Sequence, residues 1–157
     1  MSDESSGAHG WPVRTMGHLE DLTRGQCLRL LGSTAVGRVV YTDGALPAVA
    51  PVAYALDGSA IVFRAGADTR LAAGTDGAVV AFEVDSIDPQ TVTGWSVVVV
   101  GIARVVSDDA TLARVQQLLL VSWGDGERQH VVRIAASDLR GRRLVPAPTG
   151  APEAGAT

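Results

Sequence analysis

The sequence contains no lysine, and all 13 of its basic residues are arginine. A Walker-type phosphate loop needs a lysine side chain, and so does a Schiff-base enzyme, so both mechanisms are excluded. The arginines form no extended basic run, aromatic residues make up only 4% of the chain, and the net charge is −4. Because nucleic-acid binding requires a clustered cationic footprint, we expect no nucleic-acid partner.

Cysteine and long apolar runs are also scarce. The single Cys27 cannot form a disulfide within the chain, so nothing requires an oxidising compartment. The longest valine run, Val97 to Val100, is far shorter than a membrane span. The first residues are acidic and polar, unlike the basic start and apolar stretch of a secretion signal. We therefore expect a cytoplasmic protein that has no membrane partner.

Turn residues divide the chain into short apolar segments, and 157 residues suffice for one domain. We predict a loose N-terminal arm over residues 1–17 and one folded domain over residues 18–145. Residues 146–157 are rich in proline, alanine and glycine and are predicted to be a disordered tail.

The apolar periodicity predicts a mainly β domain. A first helix is expected after Thr23, because Thr23 and Gln26 have the spacing of a capping box, and Gly32 is a natural stop. A short helix is expected near residue 70, a longer one over residues 108–121, and a last short extended piece near Leu144. The strands are predicted over residues 36–42, 48–56, 60–64, 78–85, 95–106 and 130–135.

About six strands with two or three short helices favour a partly open antiparallel barrel. Pro51 lies inside the second strand and cannot donate to a ladder, so it marks an edge, a bulge or a break. The longest strand is nearly continuous valine. Either both of its faces are covered or Gly101 bends it at a barrel corner.

No familiar catalytic or metal-binding motif is present. The chain has no Ser-His-Asp order, HExxH, CxxC or GxGxxG, and His9, His18 and His130 are too scattered for a metal site. Cys27 lies on the apolar face of the predicted first helix and is interpreted as a core residue rather than a nucleophile. Composition and periodicity alone therefore indicate no reaction.

Three segments, in order, resemble the pyridoxamine 5′-phosphate oxidase-like proteins, which are flavin-binding split-barrel proteins. The segments are GRVVYTDGALPAVAPVAYALDGSAIVFRAGADTRLAA, AVVAFEVDSIDPQTVTGWSVVVVGIARVV and VVRIAASDLRGRR, and the resemblance covers about residues 19–145. It implies a six-stranded antiparallel split barrel and a homodimer whose subunits share the cofactor site. The implied cofactor is FMN, with the deazaflavin F420 as the alternative; a few relatives bind haem, for which His130 would be the candidate ligand.

The resemblance also implies a phosphate site at Arg64 and Arg70, with Thr69 adding a hydroxyl. Two guanidinium forks suit a phosphate, since each can donate two parallel hydrogen bonds. Relatives often have Thr where this chain has Ala65 and Lys where it has Arg70. The alternative is that both arginines are surface charges paired with Asp68.

The flavin ring is expected to lie against Pro51, Val52 and Ala53, by resemblance to relatives that read P-V-N-Y here. Ala53 replaces the usual Asn, which removes one polar ring contact. Trp95 and Ser96 resemble the flavin-proximal segment of the family. The alternatives are an ordinary strand core for the first three residues and a core or rim position for the Trp.

The sequence thus predicts a flavin- or deazaflavin-dependent oxidoreductase that transfers a hydride to or from a small organic substrate. The alternative is a non-enzymatic carrier or sensor that binds flavin or haem. Arg140, Arg142 and Arg143 are either structural or reach the cofactor groove. Pyridoxamine phosphate oxidase activity itself is not expected, because no second basic cluster is clearly placed to hold a substrate phosphate.

Overall fold

The computed structural model describes residues 17–118 and 128–148. Nearly all of the predicted N-terminal arm and most of the predicted tail lie outside these ranges. So does the end of the predicted third helix, over residues 119–121. Within these ranges there are eight strands and three helices, in the order β1 (Gly17–Asp21), α1 (Arg24–Leu31), β2 (Val36–Asp43), β3 (Leu46–Asp57), β4 (Ala60–Gly66), α2 (Arg70–Thr75), β5 (Val79–Asp88), β6 (Thr93–Val105), α3 (Asp109–Gln116), β7 (Gln129–Ile134) and β8 (Asp138–Pro146).

Six of these strands close into a barrel. Every pairing is antiparallel, and the ring runs β6–β5–β2–β3–β4–β7 and back to β6. The two remaining strands, β8 and β1, extend the sheet beyond β6. The predicted mainly β split-barrel fold is therefore confirmed, with two strands added outside the six-stranded ring.

Gly101 lies where β6 exchanges one neighbour for another. Residues 94–100 pair with β8, whereas residues 103–105 pair with β7. A Cβ atom on Gly101 would lie 1.6 Å from the carbonyl oxygen of Ala135, so only glycine permits this close approach. The barrel corner considered for Gly101 is thus the point at which β6 passes from one partner to the other.

The barrel wall is split between β3 and β4. β3 pairs with β2 over residues 46–53, but its ladder with β4 covers only Tyr54 to Asp57. The next pair in register would be Ala53 and Arg64, and this pair is absent from the ladder. Pro51 therefore marks an open strand edge, which was one of its three predicted roles.

The barrel interior is apolar. Phe63 and Phe82 are its largest fully buried side chains, and the Tyr54 ring meets Phe82 edge to face at 4.7 Å between centroids. Cys27 of α1 is fully buried in this core, and burial raises the pKa of its thiol. The interpretation of Cys27 as a core residue is confirmed, because a neutral, enclosed thiol is a poor nucleophile.

The helix signals in the sequence are confirmed where the structure describes them. Thr23 and Gln26 form the capping box, with Gln26 N donating to Thr23 Oγ1 at 3.3 Å and Thr23 N donating to Gln26 Oε1 at 2.8 Å. Gly32 is the C-cap of α1. α3 begins after Asp108, whose carboxylate accepts a hydrogen bond from Thr111 N at 2.8 Å.

Asp57 ties the β3–β4 turn to both α3 and β7. Its side chain is 12% exposed, and its oxygens accept hydrogen bonds from Arg114 Nε and Nη2, both at 2.9 Å. Arg133 Nε donates a further bond at 3.2 Å. The hydrogen bonds from Arg114 are the largest cause that holds the pKa of Asp57 below its ordinary value.

We expect Asp57→Asn to lower the free energy of unfolding at pH 7 by about 1–3 kcal/mol, because two guanidinium groups lose their anionic partner. The folded pKa of Asp57 lies below the unfolded value of about 3.9, so its contribution is complete above that pH and is lost as the pH falls through the folded pKa. Urea unfolding of the wild type and of Asp57→Asn at several pH values measures the difference in their free energies of unfolding. A difference between them that stays constant as the pH falls below about 4 would contradict the assignment.

Candidate functional site

Alternate residues of five adjacent strands point away from the core and form one continuous outer face. Directly opposed residues share a face, so the pairing register defines its members. They are Val49, Pro51 and Ala53 of β3; Val36, Arg38 and Val40 of β2; Val79, Ala81, Glu83 and Asp85 of β5; Ser96, Val98, Val100 and Ile102 of β6; and Asp138, Arg140 and Arg142 of β8.

The three residues expected at the flavin ring divide between the two faces of β3. Pro51 is exposed and Ala53 half-buried, and both belong to the outer face beside the split. Val52, by contrast, is 5% exposed and belongs to the barrel core. The structure thus brings Pro51 and Ala53 together next to an open strand edge, whereas Val52 supports that edge from inside.

Arg64 lies on the other side of the split, one position beyond the end of the β3–β4 ladder. Its Nε atom is buried and has no hydrogen-bond partner among the residues that the structure describes. A buried guanidinium N–H without an acceptor is costly, and native proteins rarely leave one unpaired. The described residues also give Arg64 no ion pair, so the alternative pairing with Asp68 does not form.

Thr69 and Arg70 begin α2. Thr69 is the N-cap: its Oγ1 donates to Gly66 O at 2.7 Å and accepts from Ala72 N at 3.2 Å. The side chain of Arg70 is 84% exposed, and its Nη1 lies 3.3 Å from an oxygen of Asp43. Arg70 is thus a surface charge, as the alternative held, but its partner is Asp43 of β2 rather than Asp68. Most of its N–H groups remain available.

Trp95 and Ser96 point in opposite directions, as neighbours in a strand must. Trp95 packs against the core cluster and is only partly buried, which matches the core or rim alternative. Ser96 lies on the outer face and lines a shallow cleft of about 400 Å³. Arg140 and Arg142 line the same cleft, so two of the three arginines left unassigned by the sequence accompany Ser96.

A charged group that the sequence reasoning missed lies on the outer face beside Pro51. Arg38 is opposite Pro51 in the β2–β3 ladder, and its Nη1 lies 3.1 Å from Glu83 and 3.5 Å from Asp85. Burial and the adjacent Asp85 carboxylate raise the pKa of Glu83. Alternation along Phe82-Glu83-Val84 was the available signal, since it places Glu83 on the outer face.

Residues 17–118 and 128–148 contain neither a candidate metal cluster nor a helix fit to cross a membrane. No three His, Cys, Asp or Glu side chains there are grouped to hold a metal ion. His18 lies 3.0 Å from Glu20, and His130 is exposed on β7, opposite Ala65. In the same ranges, no helix has the length and apolar character needed to cross a membrane.

An antiparallel six-stranded ring with one split wall and an exposed outer face defines a split-barrel protein. The family model for pyridoxamine 5′-phosphate oxidase matches residues 23–143, and the chain therefore belongs to this family. The resemblance drawn from the three sequence segments is confirmed.

Two solved structures and one further relative are similar to this chain over most of its length. The FAD binding protein from Mycobacterium smegmatis is 34% identical, with a TM-score of 0.72 over 80% of this chain and 98% of that one. A conserved protein of unknown function from Corynebacterium diphtheriae is 31% identical, with a TM-score of 0.69 over 81% and 98% of the two chains. An uncharacterised protein of Mycobacterium tuberculosis is 40% identical over 134 residues, which is 80% of this chain and 85% of the relative.

Proposed function

We propose that this protein binds a flavin nucleotide at the split between β3 and β4 and works as an oxidoreductase on a small organic substrate. The observation that carries the proposal is the buried Nε of Arg64, which has no acceptor among the described residues although it borders the split. A phosphate oxygen would supply that acceptor. The family assignment and the similarity to a FAD binding protein support the same ligand class.

The residues at the split fit a phosphorylated flavin. Arg64 offers an unpaired buried donor, and Arg70 offers further guanidinium donors from the start of α2. Pro51 and Ala53 lie on the open edge of β3, where backbone groups not used by β2 are available to the polar rim of a flavin ring. Thr69 contributes less than expected, because its hydroxyl is already used to cap α2.

When bound, a flavin supplies the hydride chemistry, and the protein supplies binding, orientation and electrostatics. Pro51 and Ala53 would exclude water from one side of the ring. Glu83 lies on the same outer face two strands away, opposite Arg38, and its raised pKa suits a group that holds or releases a proton. We propose FMN as the cofactor, with F420 as the alternative. FAD is a further candidate, because the similar Mycobacterium smegmatis protein is a FAD binding protein.

A second candidate function is a flavin carrier or sensor without catalytic activity. The observation that favours it is the chemistry of the ring side, where Pro51, Val52 and Ala53 offer no ionisable group and no side-chain hydrogen bond. A protein that binds the phosphate tightly and offers the ring no polar side chain from β3 can store a flavin without activating it.

Anaerobic reduction distinguishes the two functions. The flavin-loaded protein is mixed with NADH, NADPH or reduced F420, and the visible flavin band is followed against the same concentration of free flavin. An oxidoreductase should bleach the band much faster than the free-flavin control with at least one donor. Bleaching no faster than free flavin with all three donors would favour the carrier.

We also propose a homodimer that uses the outer face. Four of its apolar side chains are conspicuously exposed in the single chain: Val79 is 67%, Val49 61%, Val36 46% and Ile102 42% exposed. Apolar surface of this kind, grouped on one face, is typical of a protein interface. A two-fold dimer would cover it and would place the partner subunit next to Pro51 and Ala53.

We expect light scattering to report a dimer at micromolar concentration, and Val100→Asp to shift it towards monomer by placing a charge at the centre of this face. The matched control is Leu118→Asp, which adds the same charge at an exposed position after α3, outside the outer face. A monomeric wild-type protein, or equal effects of the two substitutions, would contradict the proposal.

A further inference from the structure

A second cleft, of about 670 Å³, opens where the ends of β6 and β7 meet α3. Three arginines from three different elements line it: Arg104 of β6, Arg133 of β7 and Arg114 of α3. We call it the arginine cleft. It contains none of the residues assigned to the flavin, and we propose that it binds a small organic phosphate.

Arg104 occupies an electrostatically unfavourable position. Arg104 and Arg133 are directly opposite each other in the β6–β7 ladder, where like charges are destabilising. Asp57 relieves only Arg133, through the bond to its Nε at 3.2 Å. Arg104 makes no ion pair or side-chain hydrogen bond with any residue of the described chain. An anion bound between the two guanidinium groups would remove their repulsion.

The arginine cleft has more cationic donors than its neighbouring carboxylates use. Three arginines but only one carboxylate, Asp108, line the cleft, and the carboxylate of Asp57 pairs with Arg114 and Arg133 but not with Arg104. Asp57 occupies Nε and Nη2 of Arg114 but only Nε of Arg133. The terminal nitrogens of Arg133 and the whole guanidinium of Arg104 therefore remain available to a ligand.

The shape of the available donors selects the class of anion. A carboxylate has two oxygens, which a single guanidinium fork satisfies, whereas a phosphate monoester has three terminal oxygens for two forks. Ser107 and Ser137 also line the cleft, and their hydroxyls form no other hydrogen bond within the described residues. Ile102 and Val105 supply an apolar wall for the organic part of the ligand.

The arginine cleft is separate from the proposed flavin site. On β7, Arg133 is opposite Val62, whereas Arg64 is opposite Val131. These two valines pack beneath Val115 of α3 in a small apolar cluster of their own. Because no residue is shared between the two sites, a flavin in one should leave the other open.

The test uses the full chain at low salt, with phenyl phosphate as the probe and amide chemical shifts and calorimetry as the readouts. The titration is run with and without saturating FMN, so a failure to bind flavin does not affect its outcome. We expect saturable shifts centred on Arg104, Ser107 and Ser137, unchanged by FMN. Arg104→Ala should weaken binding by about tenfold or more.

The matched control is Arg29→Ala, which removes an exposed arginine of α1 that does not line the arginine cleft. It should leave the affinity for phenyl phosphate within about twofold of the wild-type value. Benzoate is the comparison probe for ligand chemistry and should bind distinctly more weakly than phenyl phosphate. No saturable shift up to about 10 mM phenyl phosphate would overturn the proposal. So would equal affinities of the two variants, or benzoate binding as tightly as phenyl phosphate.

Discussion

Arg64→Ala is expected to weaken the binding of a phosphorylated flavin by about tenfold to a hundredfold, with little effect on folding. A charge-assisted hydrogen bond contributes about 1.5–3 kcal/mol, and here the donor is a buried N–H that lacks any described acceptor. The loss should be larger for FMN than for riboflavin, which has no phosphate. The ratio of FMN to riboflavin affinity, measured by flavin fluorescence in wild type and variant, is therefore the informative quantity.

Arg70→Ala is expected to weaken FMN binding less than Arg64→Ala does. We expect a loss nearer the tenfold end of that range, because the Arg70 side chain is 84% exposed and already paired with Asp43. Added salt should reduce this loss more than that of Arg64→Ala, since screening acts mainly on exposed charges. An unchanged ratio of FMN to riboflavin affinity in both variants would mean that neither arginine contacts the phosphate.

Gly101→Ala is expected to destabilise the barrel by more than about 3 kcal/mol, beyond the usual cost of overpacking a core. The added Cβ would lie 1.6 Å from the backbone oxygen of Ala135, and a backbone atom cannot move away as a side chain does. Gly101 also lies where β6 passes from β8 to β7, so a local shift would disturb closure of the ring.

Gly25→Ala is the matched control for Gly101→Ala. Gly25 lies in the first turn of α1, and its added Cβ would approach nothing closer than 3.8 Å. Alanine there should be neutral or stabilising by up to about 1 kcal/mol, because glycine is a poor helix former. Urea denaturation measures the free energy of unfolding of both variants. A loss for Gly101→Ala as small as that for Gly25→Ala would contradict the close approach of Gly101 to Ala135 where β6 passes from β8 to β7.

Signals that are local in sequence predicted their structures well. The capping box at Thr23 and Gln26 and the helix stop at Gly32 each depend on residues only a few positions apart. For Pro51 the sequence left an edge, a bulge and a break open, because the edge depends on where the β3–β4 ladder ends. The strand β1 was not predicted, because its sequence, GHLED, has little apolar alternation. It is ordered through pairing with β8, more than 120 residues later, and a short-range pattern cannot show such a partner.

The site was predicted less completely for the same reason. The resemblance identified Arg64 but could not show that its Nε is buried beside the split, since this depends on where the β3–β4 ladder ends. Sequence proximity suggested Asp68 as the partner of Arg70, whereas β2 supplies Asp43. The arginine cleft was missed altogether, because Arg104, Arg114 and Arg133 are distant in sequence and only closure of the barrel brings them together.

Titration of the flavin-free protein with FMN, FAD, F420 and riboflavin, followed by fluorescence, tests the central claim most directly. The account predicts saturable binding of at least one phosphorylated flavin or deazaflavin with a dissociation constant of about 1 μM or lower, as expected for a phosphate clamp together with a partly enclosed ring. Riboflavin should bind at least about tenfold more weakly. Failure of every phosphorylated compound to bind, or riboflavin binding as tightly as FMN, would contradict the assignment of the split as a flavin nucleotide site.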